Sequence, residues 1–119
     1  MITICRNFSF DSAHFLPFHE GKCKNLHGHG FQLEIELQGR EIKQEGPETG
    51  MIMDFGILKE KVNAKIIDVL DHHCINDVLD NPTAENLVIW IRDQLREKLP
   101  NLICVRVYET RNSYAEWRE

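Results

Sequence analysis

No two cysteines of this chain stand at Cys-x-x-Cys spacing; its four are scattered at Cys5, Cys23, Cys74 and Cys104. That excludes paired-thiolate zinc ribbons and dithiol redox motifs. There is no GxGxxG and no P-loop, hence no glycine-rich turn to cradle a dinucleotide or nucleotide phosphate. No apolar run is long enough to cross a bilayer. The opening Met1–Arg6 is too short and too alternating for a secretory signal. The expectation is therefore a cytoplasmic protein with free thiols in a reducing compartment. Basic residues are also in deficit: 14 Lys and Arg against 19 Asp and Glu give a formal net charge of −5. A nucleic-acid binder would show a basic stripe, so neither nucleic acid nor membrane is expected as a partner. An anionic substrate stays compatible, because local Lys and Arg can oppose the net sign. No repeat, low-complexity tract or linker divides the chain, and 119 residues suffice for one domain, 1–119, with a real core.

What the chain does have is histidine in a pattern. His14, Cys23, His27 and His29 fall within sixteen residues. Neutral imidazole is a good zinc ligand, and three imidazoles with one open position make the layout of a catalytic zinc site. Strand periodicity puts His27 and His29 on one side of an extended chain, with Gly28 pointing away. A lone His-x-His is as often a surface feature; His14 and Cys23 tip the balance to Zn2+.

Hydrophobic periodicity supplies the frame. Ile2, Ile4, Phe8 and Phe10 share a face, broken by Arg6, and predict a strand over roughly 2–10. Phe31, Leu33, Ile35 and Leu37 alternate with Gln32, Glu34, Glu36 and Gln38, the pattern of a half-buried antiparallel strand. A polar loop follows over Gly39–Gly50, and Met51–Met53 read as a short strand. Asp54 and Thr83 are N-cap candidates for two helices. The first carries Phe55, Leu58, Val62, Ile66, Val69 and Leu70; the second carries Leu87, Ile91, Leu95 and Leu99 and stops at Pro100. A last strand over about 102–110 sets Ile103, Val105, Val107 and Glu109 in phase. Two amphipathic helices on one face of an antiparallel sheet give an α+β layer fold, with sheet edges open to neighbouring subunits.

Several residues then admit two readings. The plainer one for His14, taken alone, is an ordinary partly buried histidine; closing the two strands into a hairpin would bring it to His27 and His29. Cys23 either completes a closed, structural zinc site or stands beside the metal as base or nucleophile, since thiols near cations ionise more readily. Asp71-His72-His73 is either a helix C-terminus with histidines favoured by the dipole or an Asp–His proton-transfer pair. Glu109 is either the point where its strand leaves the core or a carboxylate that accepts the two N–H donors of a planar ring edge. Cys5 and Cys104, both in strands, read as buried, inert thiols.

Phe10-Asp11-Ser12-Ala13-His14, Cys23-x3-His27-Gly28-His29, Leu70-Asp71-His72, Pro82-Thr83-Ala84-Glu85-Asn86 and Glu109-Thr110 resemble, in this order, the 6-pyruvoyltetrahydropterin and 6-carboxytetrahydropterin synthase superfamily. Three residues between the cysteine and His-Gly-His resemble the carboxy-forming branch of the queuosine pathway. The resemblance implies a tunnel fold: four antiparallel strands and two helices per subunit, in a homo-oligomeric barrel, a hexamer of two trimers with sites between subunits. It implies zinc on His14, His27 and His29, and Cys23 as base, with Asp71 and His72 relaying protons from a neighbouring subunit. Glu109 would hold the pterin's amino-pyrimidine edge, with Thr83 and Thr110 nearby. The implied substrate is a pterin triphosphate, 7,8-dihydroneopterin triphosphate. Rivals are the pyruvoyl-forming reaction and a non-catalytic zinc-stabilised binding module. Superfamily members often continue Leu-Asp-His with a Leu-Asn pair, where this chain reads His73-Cys74-Ile75-Asn76, and no motif marks the triphosphate's cationic partners; Lys22, Lys24 and Arg111 are the candidates.

Overall fold

A computed structural model describes all residues, 1–119. Strands β1 (Ile2–His14) and β2 (His27–Gly39) form one long antiparallel hairpin in continuous register, from Ile2 opposite Gly39 to His14 opposite His27. Strands β3 (Leu102–Thr110) and β4 (Ser113–Arg118) complete an antiparallel sheet of order β1-β2-β3-β4. Helices α1 and α2 lie between β2 and β3 in sequence. Helix α1 runs as Phe55–Val62, a π turn Asn63–Ile67 and a final α turn Asp68–Leu70. Helix α2 spans Ala84–Leu95.

Both helices begin where the sequence has a side-chain acceptor. Asp54 accepts from the Gly56 N–H at 2.6 Å, and Thr83 Oγ1 accepts from the Asn86 N–H at 3.1 Å. The π turn has a cause in the spacing of α1's buried residues. Leu58, Val62, Ile66 and Leu70 recur every fourth position, and all four are buried. A straight α-helix would rotate such a row by about 40° per step, away from the sheet. The wider π turn takes up that drift. In α2 the same spacing is met differently: the helix ends at Leu95, and Leu99 reaches the core from the following turn.

The core lies between the helices and one sheet face. Phe8, Phe10, Phe31, Leu33, Ile35, Leu37, Val105 and Val107 meet Leu58, Val62, Ile66, Leu70, Leu87, Ile91 and Leu95. The opposite sheet face carries charges in alternation. Arg106 lies between Glu34 and Glu116, and Arg118 between Glu36 and Glu116.

Three expectations are corrected. Cys5 is exposed, because it lies opposite Glu36 on the charged sheet face rather than on the core face. Met51–Met53 is not a strand. Ile52 is buried against Gly39, while the Met51 carbonyl accepts from the Lys43 N–H across a turn. Its apolar run serves to plug the loop. The fourth strand is β4, whose inward residues are only Ala115 and Trp117, opposite Val107 and Val105. A bulge in β3 also turns Ile103 off the core face and puts Leu102 on it.

Candidate metal centre and its cleft

The β1–β2 register builds the centre. His14 pairs with His27, and Ser12 with His29. Alternation puts Phe10, Ser12 and His14 on the core face of β1 and Phe31, His29 and His27 on that of β2. Phe10 and Phe31 stack with ring centroids 5.1 Å apart and close the apolar core, and the Phe31 ring meets those of His14 and His29 in T-shaped contacts, with centroids 5.6 and 5.4 Å away. Beyond this aromatic floor the three imidazoles gather, with centroids 4.6–5.1 Å apart.

Backbone carbonyls orient two of the rings. His14 Nδ1 donates to Pro82 O at 2.9 Å and His27 Nδ1 to Asn25 O at 2.7 Å. This leaves Nε2 as the lone-pair atom, the usual arrangement of a ligating histidine. The Nε2 atoms of His14, His27 and His29 are all buried without a hydrogen-bond partner. Burial holds the His14 ring below its usual pKa, so the neutral, ligating form is favoured. Orphaned buried polar atoms are costly, and three converging lone pairs fit a metal ion. Glu109, at the end of β3, brings its Oε1 within 3.1 Å of both His14 Nε2 and His29 Nε2. These four ligand atoms lie within 4.8 Å of one another.

A second group sits across β1. Segment 71–76 docks along the free edge of β1. Asp71 Oδ1 accepts from Asp11 N at 2.9 Å, His72 N donates to Asp11 O, Ala13 N donates to His73 O, and Ser12 Oγ donates to Leu70 O. Asn76 closes the far end, accepting from Phe15 N at 2.9 Å and donating to Phe15 O at 2.8 Å. His72 sits at φ +60°, a conformation a non-glycine residue holds only when its surroundings fix it. Its Nδ1 lies 3.1 Å from Asp71 Oδ2. The Asp11 N–H, with His72 in support, holds the Asp71 carboxyl below the usual carboxylate range. His73 turns its Nδ1 to Asp71 O instead, at 2.8 Å.

The remaining sequence candidates are dispersed. Cys23 lies half-buried in a short 3₁₀ turn, Lys22–Lys24, outside the four-ligand group. Thr83 is engaged as the α2 cap, and Thr110 Oγ1 accepts from Asn112 N at 3.3 Å. Lys22, Lys24 and Arg111 are exposed. A cleft of about 490 Å³ opens from Glu109 between α2 (Ala84, Val88, Ile89) and β4 (Ser113–Glu116). A second, of about 530 Å³, is lined by Asp11–Ala13, Gly28–Gly30 and His72–Cys74. Sequence reasoning misses Asn76, Ser12 and the Pro82 carbonyl, which work through backbone contacts that no spacing announces.

A family model described as 6-pyruvoyl tetrahydropterin synthase matches residues 3–119. The chain belongs to this family. It is 42% identical over 120 residues to the 6-carboxy-5,6,7,8-tetrahydropterin synthase of Synechocystis, covering 98% of this chain and 93% of that one. It is also 42% identical, over 92 residues, to the dihydroneopterin monophosphate aldolase of Pyrococcus furiosus, covering 77% and 73%. The structure of 6-pyruvoyl tetrahydropterin synthase from Caenorhabditis elegans superposes with a TM-score of 0.85 at 27% identity, over 99% of this chain and 95% of that chain.

The fold thus gathers groups suited to chemistry in two places. The loop end of the β1–β2 hairpin, where His14 faces His27, offers a nitrogen-rich candidate metal centre. The strap 71–76 offers an oriented Asp–His pair.

Proposed function

We propose that this chain is a zinc-dependent 6-carboxy-5,6,7,8-tetrahydropterin synthase of 7-deazapurine biosynthesis, acting on 7,8-dihydroneopterin triphosphate. The observation that carries the reading is the set of three buried, unpartnered Nε2 atoms on His14, His27 and His29, in a chain of this family. Zinc bound there would act as a Lewis acid toward the substrate's side-chain hydroxyls. The chain's own residues do the rest. Cys23 takes a proton from the side chain beside the ring, and the Asp71–His72 pair returns protons to the ring and leaving groups. The Glu109 carboxylate accepts the two N–H donors of the amino-pyrimidine edge. Lys22, Lys24 and Arg111, exposed cations outside every ion pair of the structure, meet the triphosphate. One water is taken up, and 6-carboxytetrahydropterin, acetaldehyde and triphosphate leave. The ring gains the electrons that the side chain loses, so no external redox partner is needed. The 119 residues act as one catalytic domain in a homo-oligomer, a hexamer of two trimers.

The test is to incubate the zinc-loaded protein with 7,8-dihydroneopterin triphosphate and identify products by mass. 6-Carboxytetrahydropterin with equimolar acetaldehyde is expected. A 6-pyruvoyl product without carbon loss would replace this reading with its superfamily rival. Turnover of the monophosphate alone would place the chain with the aldolase.

A further inference from the structure

We propose that Glu109 is the fourth ligand of the metal centre in the substrate-free protein, and that it leaves the metal when a pterin enters. The inference rests on the functional reading above for the metal and the pterin, and on the structure for the exchange.

The decisive contacts are those of Glu109 Oε1, 3.1 Å from His14 Nε2 and 3.1 Å from His29 Nε2. Neither has the geometry of a hydrogen bond, since both nitrogens lack a partner. The His14 Nδ1 proton is committed to Pro82 O, so in the neutral ring Nε2 carries only a lone pair. His27 is held in the same way by Asn25 O. At His14 the carboxylate oxygen therefore faces a lone pair at this distance, with no proton between, and is repelled. A cation at the common centre reverses the sign. Zinc with bonds of about 2.0–2.2 Å to nitrogen and oxygen spaces tetrahedral ligands about 3.3–3.5 Å apart. The observed spacing is within a few tenths of an ångström of that, and the four ligand atoms form one group.

Three histidines and a carboxylate make a closed set, the pattern of a site that holds its metal without reacting. A site that must admit substrate has to lose one ligand, and Glu109 is the one free to go. His14 and His27 are pinned through Nδ1. Glu109 has no hydrogen bond holding it, is 27% exposed, and borders the 490 Å³ cleft beside α2 and β4. Turning into that cleft, the same carboxylate would meet the N–H edge of a bound ring. The protein would then open its metal only when a pterin is present to receive the carboxylate.

Cobalt(II) in place of zinc tests this, because its visible absorption reports coordination without turnover. Wild type and Glu109→Gln are compared free of substrate. One equivalent should bind to each, with affinity lower in the variant by roughly tenfold to a hundredfold and a changed spectrum. Equal affinity and identical spectra would overturn the ligand assignment. Next, 7,8-dihydropterin is added, a ring with no side-chain hydroxyls to offer the metal. The wild-type spectrum should move toward that of Glu109→Gln. An unchanged spectrum with the pterin bound, as measured by equilibrium dialysis, would overturn the exchange. Failure of the pterin to bind at all would instead sink the functional reading, with the cobalt comparison still deciding the ligand.

Discussion

Cys23 and Cys104 differ in what surrounds their sulfurs. Cys104 is buried on the charged sheet face, its thiol pushed up to about 12 by burial and by Glu36. Cys23 sits on a short turn in the loop that joins the two histidine-bearing strands, and is half-buried. Alkylation at pH 8 should therefore label Cys23 and spare Cys104; peptide mapping that finds Cys104 modified first would contradict this. Cys23→Ala should keep its zinc, since the sulfur lies outside the ligand group. Turnover should fall by about a hundredfold to ten-thousandfold, the usual worth of a positioned base. Zinc and turnover measured on one preparation decide: lost zinc would make Cys23 a ligand, and normal turnover would remove it from the mechanism. His29→Ala removes one of three unpartnered Nε2 atoms and should lose metal and activity together. Full zinc occupancy in that variant, by elemental analysis, would refute the triad.

Among the elements, the strap 71–76 contributes most that the sequence hides. Its hydrogen bonds to β1 tie the Asp–His pair to the strand that carries His14. Asn76→Ala removes both bonds to the Phe15 backbone, one of them leaving an N–H unpaired. About 1–3 kcal/mol of stability should go, and kcat should fall while zinc stays bound. Asn76→Asp keeps the acceptor for Phe15 N and should recover part of both; a fall in kcat with no recovery would assign Asn76 a different task. The elements that alternate or recur cleanly are legible: β2, the Val105 and Val107 stretch of β3 beyond its bulge, both helix caps, and the histidines' common face. The strap is not, because its bonds are made by backbone atoms and one amide. Strand β4 is missed because two inward residues, Ala115 and Trp117, are too few to set a period. Met51–Met53 misleads because a loop plug is as apolar as a strand. Glu109 stands out in sequence as a carboxylate in an apolar phase, yet only the fold shows its oxygen beside two imidazoles.

For the molecule as a whole, the candidate metal centre lies at one end of the sheet, outside the apolar core. Chelation should therefore leave the fold intact and lower its melting temperature, since a ligand that binds only the native state stabilises it. Unfolding on chelation, seen by circular dichroism, would favour the structural module. Assembly follows from what the sheet leaves open. The strap covers β1 only from Asp11 to Phe15, and β4 has no neighbour beyond it, so both edges can pair with other copies. The His72 side chain is 78% exposed. If the relay pair serves a neighbour's metal centre, a working site needs Cys23 from one copy and His72 from another. Cys23→Ala and His72→Ala should each be inactive alone, and mixing them under conditions of subunit exchange should restore turnover, because some interfaces then combine the two intact residues. If every site is built within one chain, the mixture holds no intact site and stays dead. Light scattering on the same samples must show a homo-oligomer, and a monomer there would remove the shared site altogether.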